Sequence, residues 1–380
     1  QGLYESGSCG RRCRIREGGK IRLLTEKIYF RKFLFRITME KIINIPTSLR
    51  PVKAINVSNY ISLSQSFSDF IYNFEYLSHC PPFGLLTLFS AIKRNIQRYP
   101  NSSHAYINIK EKTGASYAKR MGFFDAIKGA YPNNILRYTD FHNNDRIIPI
   151  TKITKDDLYT KYSDDSSELG EMVESLSCNL AFMLTQEKIS QAYKTFSYCI
   201  REIIRNVFEH SLSESAWICG EYWPSRNNAQ IAIMDEGIGI LRSLKGNRNY
   251  SILENDKEAN NLALEAGISC TLGQKQYASQ IWQNSGYGLY MAKSLCLEGG
   301  FFILASGKNT IFLSKTHKKE YDSAVNGTII SLSIQTNKIT ELSSMLSLFR
   351  KIGEEQSKQK DKRITTASHM STSFRCKCIE

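Results

Sequence analysis

The sequence predicts an α/β (α+β) protein, on three observations. Between residues 186 and 210, Ile189, Tyr193, Phe196, Ile200, Ile203 and Val207 recur at helical spacing and give one apolar face. Farther along, Ala229–Met234 and Ile329–Ile334 have the pattern of buried strands. Residues 50–150 alternate strand-like and helix-like stretches, the order of a βαβα unit. A chain of 380 residues has ample core, enough for about two to three domains.

Residues 1–38 hold ten Lys/Arg against three Asp/Glu, half of the net charge of +14. The segment begins with Gln, is rich in Arg, Gly and Ser, and lacks the apolar stretch of a signal peptide. More ordinary sequence starts at Met39-Glu40-Lys41-Ile42-Ile43. Residues 1–38 are therefore expected to be a non-native or disordered basic leader; the alternative is a basic arm for nucleic acid. Without them the remaining charge is unremarkable, and no nucleic-acid partner is expected. No apolar run reaches the roughly 18–20 residues that span a bilayer. The ten cysteines are scattered, which fits reduced, cytoplasmic thiols rather than a disulfide framework. Cys376/Cys378 and Cys9/Cys13 have the spacing of zinc half-sites, but no His or Cys stands near them in sequence to complete a set.

Residues 39–154 are expected to form a smaller α/β domain. Phe70, Tyr72, Phe74 and Tyr76 alternate as on a half-buried strand. Pro81-Pro82 stop that strand and open a helix, where a first-turn proline is tolerated. Leu85, Leu88, Phe89, Ile92 and Ile96 supply the apolar face of that helix. Ala105–Ile109 predicts a second strand, and a second helix runs through Tyr117–Phe124. The acidic, polar residues 155–171 predict a linker.

The larger domain is placed at 172–345. Its long helix ends in Arg201-Glu202-Ile203-Ile204-Arg205-Asn206-Val207-Phe208-Glu209-His210. Glu202, Asn206 and His210 stand at i, i+4 and i+8 and form a polar line beside the apolar face. The strand Ala229–Met234 runs into Asp235-Glu236-Gly237-Ile238-Gly239. Asn284-Ser285-Gly286-Tyr287-Gly288-Leu289 opens a helical pattern through Leu297. Asn326-Gly327-Thr328 precedes the last strand. A Gly-rich turn before a helix offers backbone N–H groups to an anion such as phosphate. An Asp at a strand end can accept a hydrogen bond from a base amine. Residues 346–380, charged and then Ser/Thr-rich, are expected to be a flexible tail.

The order E-x-x-x-N, D-x-G-x-G, G-x-G-L and G-T resembles the GHKL ATPases, the superfamily of DNA gyrase, the heat-shock chaperone ATPase, MutL and the histidine kinases. The resemblance covers roughly residues 180–335. It implies a Bergerat fold, a mixed sheet with helices on one face, and bound Mg-ATP. It also implies that Asn206 ligates Mg²⁺, that Glu202 orients or activates the attacking water and that Asp235 binds the adenine amine. Gly237 and Gly239 would shape the pocket wall. Gly286, Gly288 and Leu289 would carry the phosphate-binding turn, and Thr328 would help hold the adenine. His210 completes the nucleotide set and looks most like the anti-sigma-factor serine kinases. Residues 240–285 would be the lid, with Trp282 at its hinge and Lys245, Arg248 and Lys275 as candidates to touch phosphate.

Pro82-Phe83-Gly84-Leu85-Leu86 and Arg120-Met121-Gly122-Phe123-Phe124 carry a weaker resemblance of the first domain to STAS domains, the fold of anti-sigma-factor antagonists. Where such antagonists carry a phosphorylated Ser or Thr, this chain has Cys80-Pro81-Pro82. Ser78 is near but on the strand side. Packing against the ATPase-like domain, or a scaffold with no site, is therefore expected there rather than phosphoacceptance.

A sensor histidine kinase needs a phosphoacceptor His followed by an acidic residue. His79, His104, His142, His210, His317 and His369 are followed by Cys, Ala, Asn, Ser, Lys and Met. A conventional histidine autokinase is thus disfavoured. The chain after Thr328 is too short for a transducer domain of the gyrase or MutL kind. Three functions remain: an ATP-dependent kinase or switch of the anti-sigma serine-kinase type acting on a partner protein, a regulator or a STAS-type protein; a slow ATPase whose lid switches a protein interaction; or a non-enzymatic nucleotide-sensing module. A homodimer is compatible with each.

Overall fold

Proline and glycine punctuate the first third of the chain, and the computed structural model shows what they separate. It describes residues 40–129, 146–162, 169–270, 286–360 and 367, all in one unit that begins at Glu40. The basic leader, Trp282, Lys275 and the four cysteines of the zinc half-sites lie outside the described residues. Strands β1 (Glu40–Asn44), β2 (Asp69–Asn73) and β3 (Ser103–Ile107) pair side by side in parallel. Parallel neighbours need crossovers, which α1 (Pro51–Ser62) and α2 (Pro82–Arg98) supply, each with a proline in its first turn. Phe70, Tyr72 and Phe74 are buried as the alternation predicts, whereas Tyr76 is exposed because β2 has already ended. The single helix expected through Phe124 is two, α3 (Gly114–Arg120) and α4 (Phe123–Ile127). Gly122 breaks it with φ +71° and lets Phe123 and Phe124 turn their edges onto Phe74.

The second sheet has the order β4-β5-β6-β8-β7, from β4 (Ile147–Thr154), β5 (Ser215–Trp223), β6 (Asn228–Asp235), β7 (Gly300–Ser314) and β8 (Lys318–Gln335). Every pair in it is antiparallel. This corrects the expected mixed sheet: β5–β6 and β7–β8 are hairpins with short turns, which leave no chain for a parallel crossover. Strand β4 forms an edge of this sheet rather than joining the first three strands. The chain at Asn326-Gly327-Thr328 lies inside β8, not ahead of it.

Two further expectations give way to helices. In place of a 155–171 linker, α5 (Lys155–Tyr162) follows β4 directly, capped by the Asp157 carboxylate on the Thr154 amide at 2.7 Å, and α6 (Leu169–Thr185) begins soon after. In place of a tail from residue 346, α11 (Leu342–Lys360) buries Leu342, Met345 and Leu346 in the core. The Ser357 hydroxyl of α11 donates to the Ala266 carbonyl at 2.9 Å. Charge on the outer positions masked an i, i+3, i+4 pattern that was present in the sequence.

The long helix is α7 (Gln191–His210), five residues shorter at its start than its apolar spacing predicts. Ser190 caps it by accepting from the Tyr193 amide at 3.2 Å. Gln186 takes φ +58° and ends the preceding helix, so Ile189 sits in the loop, 77% exposed. Phe196, Ile200 and Ile203 of α7, with α6 and the later α10 (Gly288–Gly299), cover one face of the second sheet. The other face is covered too. Phe89 of α2 packs on Trp217 with ring centroids 4.7 Å apart, in one core with Met234, Ile303 and Ile329. Helices on one face only were expected; the continuously apolar run of β6 required cover on both. Among the described residues no helix is long and apolar enough to cross a membrane.

Candidate functional site

The end of α7, the end of β6, the start of α10 and the middle of β8 converge on one cleft of about 890 Å³ including its open mouth. Helix α8 (Gly239–Lys245) and the chain through Cys270 close its side. Asn206 and His210 line it from α7, Asp235 from β6 and Gly239 from α8. Gly286, Gly288 and Leu289 line it from the turn into α10, and Thr328 from β8. Eight of the ten residues singled out in the sequence thus face one space, although they span more than a hundred positions.

Asp235 ends β6 directly opposite Thr328 in the strand register. Its Oδ1 accepts from the Gly237 amide at 2.8 Å. Burial pushes its carboxyl up to about 6, against hydrogen bonds from the Gly237 amide and from the amide and hydroxyl of Thr328. Glu236 next door adds to the rise. A buried carboxylate on a cleft wall has unused acceptor capacity for a ligand N–H. Gly237 does not line the cleft; it packs against the Ser211 carbonyl and serves through its amide. Ser306 of β7, which the sequence did not reveal, ties this corner together. Its hydroxyl donates to the Gly327 carbonyl at 2.9 Å and accepts from the Ile240 amide at 3.1 Å. Nothing in the local sequence marks it, because its partners lie 21 and 66 positions away.

The turn into α10 is shaped by close approach. Gly286 has φ +74° and stands against the backbone of Ile268, and the Gly267 amide donates to its carbonyl at 3.1 Å. The first-turn amides of a helix have no partner within the helix, and Gly288 and Leu289 bring that end of α10 to the cleft. The Asn206 side chain makes no hydrogen bond to another described residue, so its amide oxygen is uncommitted at the cleft wall.

Glu202 is placed differently from its neighbours on the polar line. It is 3% exposed and absent from the cleft wall. Its Oε1 accepts from Arg201 at 2.9 and 3.2 Å and lies 3.7 Å from Arg205. Arg201 also reaches Glu174 at 3.2 Å. The second oxygen, Oε2, presses against Gly288, where an added Cβ would collide with it. Gly288→Ala tests this contact. In an exposed helix Ala is favoured over Gly by about 1 kcal/mol; here overpacking should reverse the sign and cost about 1–3 kcal/mol. The same substitution made on a Glu202→Ala background should stabilise instead. Urea unfolding of the four proteins in the cycle measures it, and equal effects in both backgrounds would disprove the contact.

His210 and Cys270 meet across the cleft wall, with Sγ 3.3 Å from Nδ1. On its other side, His210 Nε2 lies 3.7 Å from Glu209 Oε2. Lys245 and Arg248 are exposed and do not line the cleft. The first half of the expected lid is fixed in place: in α9 (Asp256–Ala263), Asn260 is buried and donates to the carbonyls of Ser306 and Asn309 at 3.0 Å each. Among the described residues no cluster of three or more His, Cys, Asp or Glu could hold a metal ion. A cation here would rely on Asn206 and on oxygens of its ligand. No family model, curated protein or solved structure matches the chain.

Proposed function

We propose that the chain binds Mg-ATP in this cleft and uses it to phosphorylate or switch a partner protein. The observation that carries this is the convergence of four separate stretches, each with the chemistry one part of a nucleotide needs, on a single cleft. Asp235 accepts the adenine amine, with Thr328 beside it. The backbone amides of the turn into α10 receive phosphate oxygens, favoured by the positive end of the helix. Asn206 offers the protein oxygen for Mg²⁺, an ion that binds through few protein ligands and its substrate's phosphates. When bound, Mg²⁺ neutralises phosphate charge. The N-terminal layer, packed on the back of the sheet, is the STAS-like part of this reading and a scaffold rather than a phosphoacceptor: Ser78 is committed to the Thr47 carbonyl at 2.7 Å.

Asn206→Ala should abolish the affinity gained on adding Mg²⁺ while leaving the fold intact, since among the described residues the side chain has no hydrogen-bond partner to lose. Calorimetry with ATP, with and without Mg²⁺, checks this; an unchanged Mg²⁺ increment sinks the assignment. Transfer of labelled phosphate from ATP to a co-purified protein then tests the kinase reading.

One observation favours the second reading, a nucleotide-sensing module with slow or no turnover. Glu202, the residue assigned to water activation, has one oxygen held by two arginines and lies behind the turn. Water activation would have to pass through Oε2, at Gly288. Phosphate release from Mg-ATP by the protein alone, compared with Glu202→Gln, separates the two: equal rates leave the sensing reading.

A further inference from the structure

The cleft carries a thiol to which the nucleotide reading gives no role. Cys270 lines it, within hydrogen-bond reach of His210, and Glu209 stands behind the imidazole. The other described cysteines, Cys80, Cys178, Cys199, Cys219 and Cys296, are all buried; among the described residues Cys270 alone is a cysteine only partly buried. The order thiol, imidazole, carboxylate is the arrangement that activates a sulfur nucleophile.

We propose that Cys270 is a peroxide-reactive thiol whose oxidation to sulfenic acid closes the cleft to nucleotide. The proposal rests on the reading of the cleft as a nucleotide site. Burial alone would hold the thiol in its neutral form. The hydrogen bond and charge of His210, with a further bond from the Ser243 hydroxyl, outweigh it and draw Cys270 below the usual thiol range. His210 moves up in turn: burial opposes its charge, and Cys270 and Glu209 overcome that. Both shifts favour the thiolate and the imidazolium over their neutral forms.

The step balances. The thiolate sulfur attacks one oxygen of hydrogen peroxide, the S–O bond forms and the O–O bond breaks. Sulfur is oxidised, and the leaving hydroxide takes the imidazolium proton of His210 and departs as water. The product replaces a thiolate that faced His210 with a larger S–OH group in the same wall, and removes the charge partner of an imidazole that also lines the cleft.

The test uses the full chain. Hydrogen peroxide is added, sulfenic acid is trapped with dimedone, and the labelled cysteine is identified by mass spectrometry; ATP affinity is measured by calorimetry before and after oxidation. Cys270 should label faster than the other cysteines, His210→Ala should slow its labelling about tenfold or more, in line with the lost thiolate fraction, and saturating Mg-ATP should protect it. Oxidation should weaken ATP binding at least about tenfold, and Cys270→Ser should make binding indifferent to peroxide. Labelling of Cys270 no faster than that of the buried thiols, or unaltered by His210→Ala, overturns the proposal. So does unchanged ATP affinity in fully oxidised protein. If the unoxidised chain binds no ATP, the nucleotide reading fails, while the labelling rates still report separately on the thiol.

Discussion

Arg201→Met should lower stability by about 3–5 kcal/mol, because it strands a buried carboxylate. Arg201 is 2% exposed, stacks on Tyr198 at 4.9 Å, and is the principal partner of Glu202. Burial opposes its charge, yet the guanidinium is held above its ordinary range by Glu202 and then Glu174. Without it, among the described residues Glu202 keeps only the ion pair with Arg205, at 3.7 Å. Taking two charges out of water costs much of what their attraction returns, so the loss is largely the penalty of the orphaned charge. The double substitution Arg201→Met/Glu202→Gln should therefore recover much of the stability that Arg201→Met loses. Urea unfolding of the single and double variants measures this. A double variant no more stable than the single one would show that packing of the Arg201 stem, not the ion pair, holds this part of α7.

Asp235→Asn should act with the opposite sign on stability and remove function. The folded state raises the Asp235 carboxyl from 3.8 to about 6, first through burial. The folded form then binds a proton more tightly than the unfolded chain does. Stability from this group is present below about pH 4 and is lost as pH rises from about 4 through about 6. At neutral pH the full penalty applies, at most about 3 kcal/mol from two pKa units. Asn removes the titration and keeps an oxygen for the Gly237 amide. Its NH₂ is a poorer neighbour for the Thr328 donors, so a net gain of about 1–2 kcal/mol is expected. The apo variant should thus melt higher than the parent at pH 7 and lose the parent's decline between pH 4 and 6. It should also bind ATP weakly and discriminate poorly against GTP, since the charge that strengthens the bond to the adenine amine is gone. A variant that melts lower at pH 7, or binds ATP as the parent does, contradicts the role given to Asp235.

Asp235 carries a buried, raised carboxyl on the cleft wall, and such positions are where ligand recognition is expected. The Arg201–Glu202 pair is internally compensated, and it supports the turn into α10 from behind rather than opening onto the cleft.

Local structure was largely legible from the residues alone. Apolar spacing located α7, α2 and β6, because a helix or strand advertises its buried face through its own period. The sequence also singled out short stretches that meet at one cleft: Asp235 ends β6 and Gly286 and Gly288 open α10, whereas Thr328, expected ahead of its strand, lies in the middle of β8. What those faces meet came from the three-dimensional packing. Periodicity says that a face is apolar, not what covers it, so the antiparallel order of the second sheet, the place of β4 at its edge and the cover of α1 and α2 on its back were not legible. The same limit applied to the site. Glu202 and Asn206 are one helical turn apart in sequence, yet burial and two arginines turn one inward while the other faces the cleft. Cys270 lies 60 residues from His210, and only the packing of two distant segments puts sulfur beside imidazole.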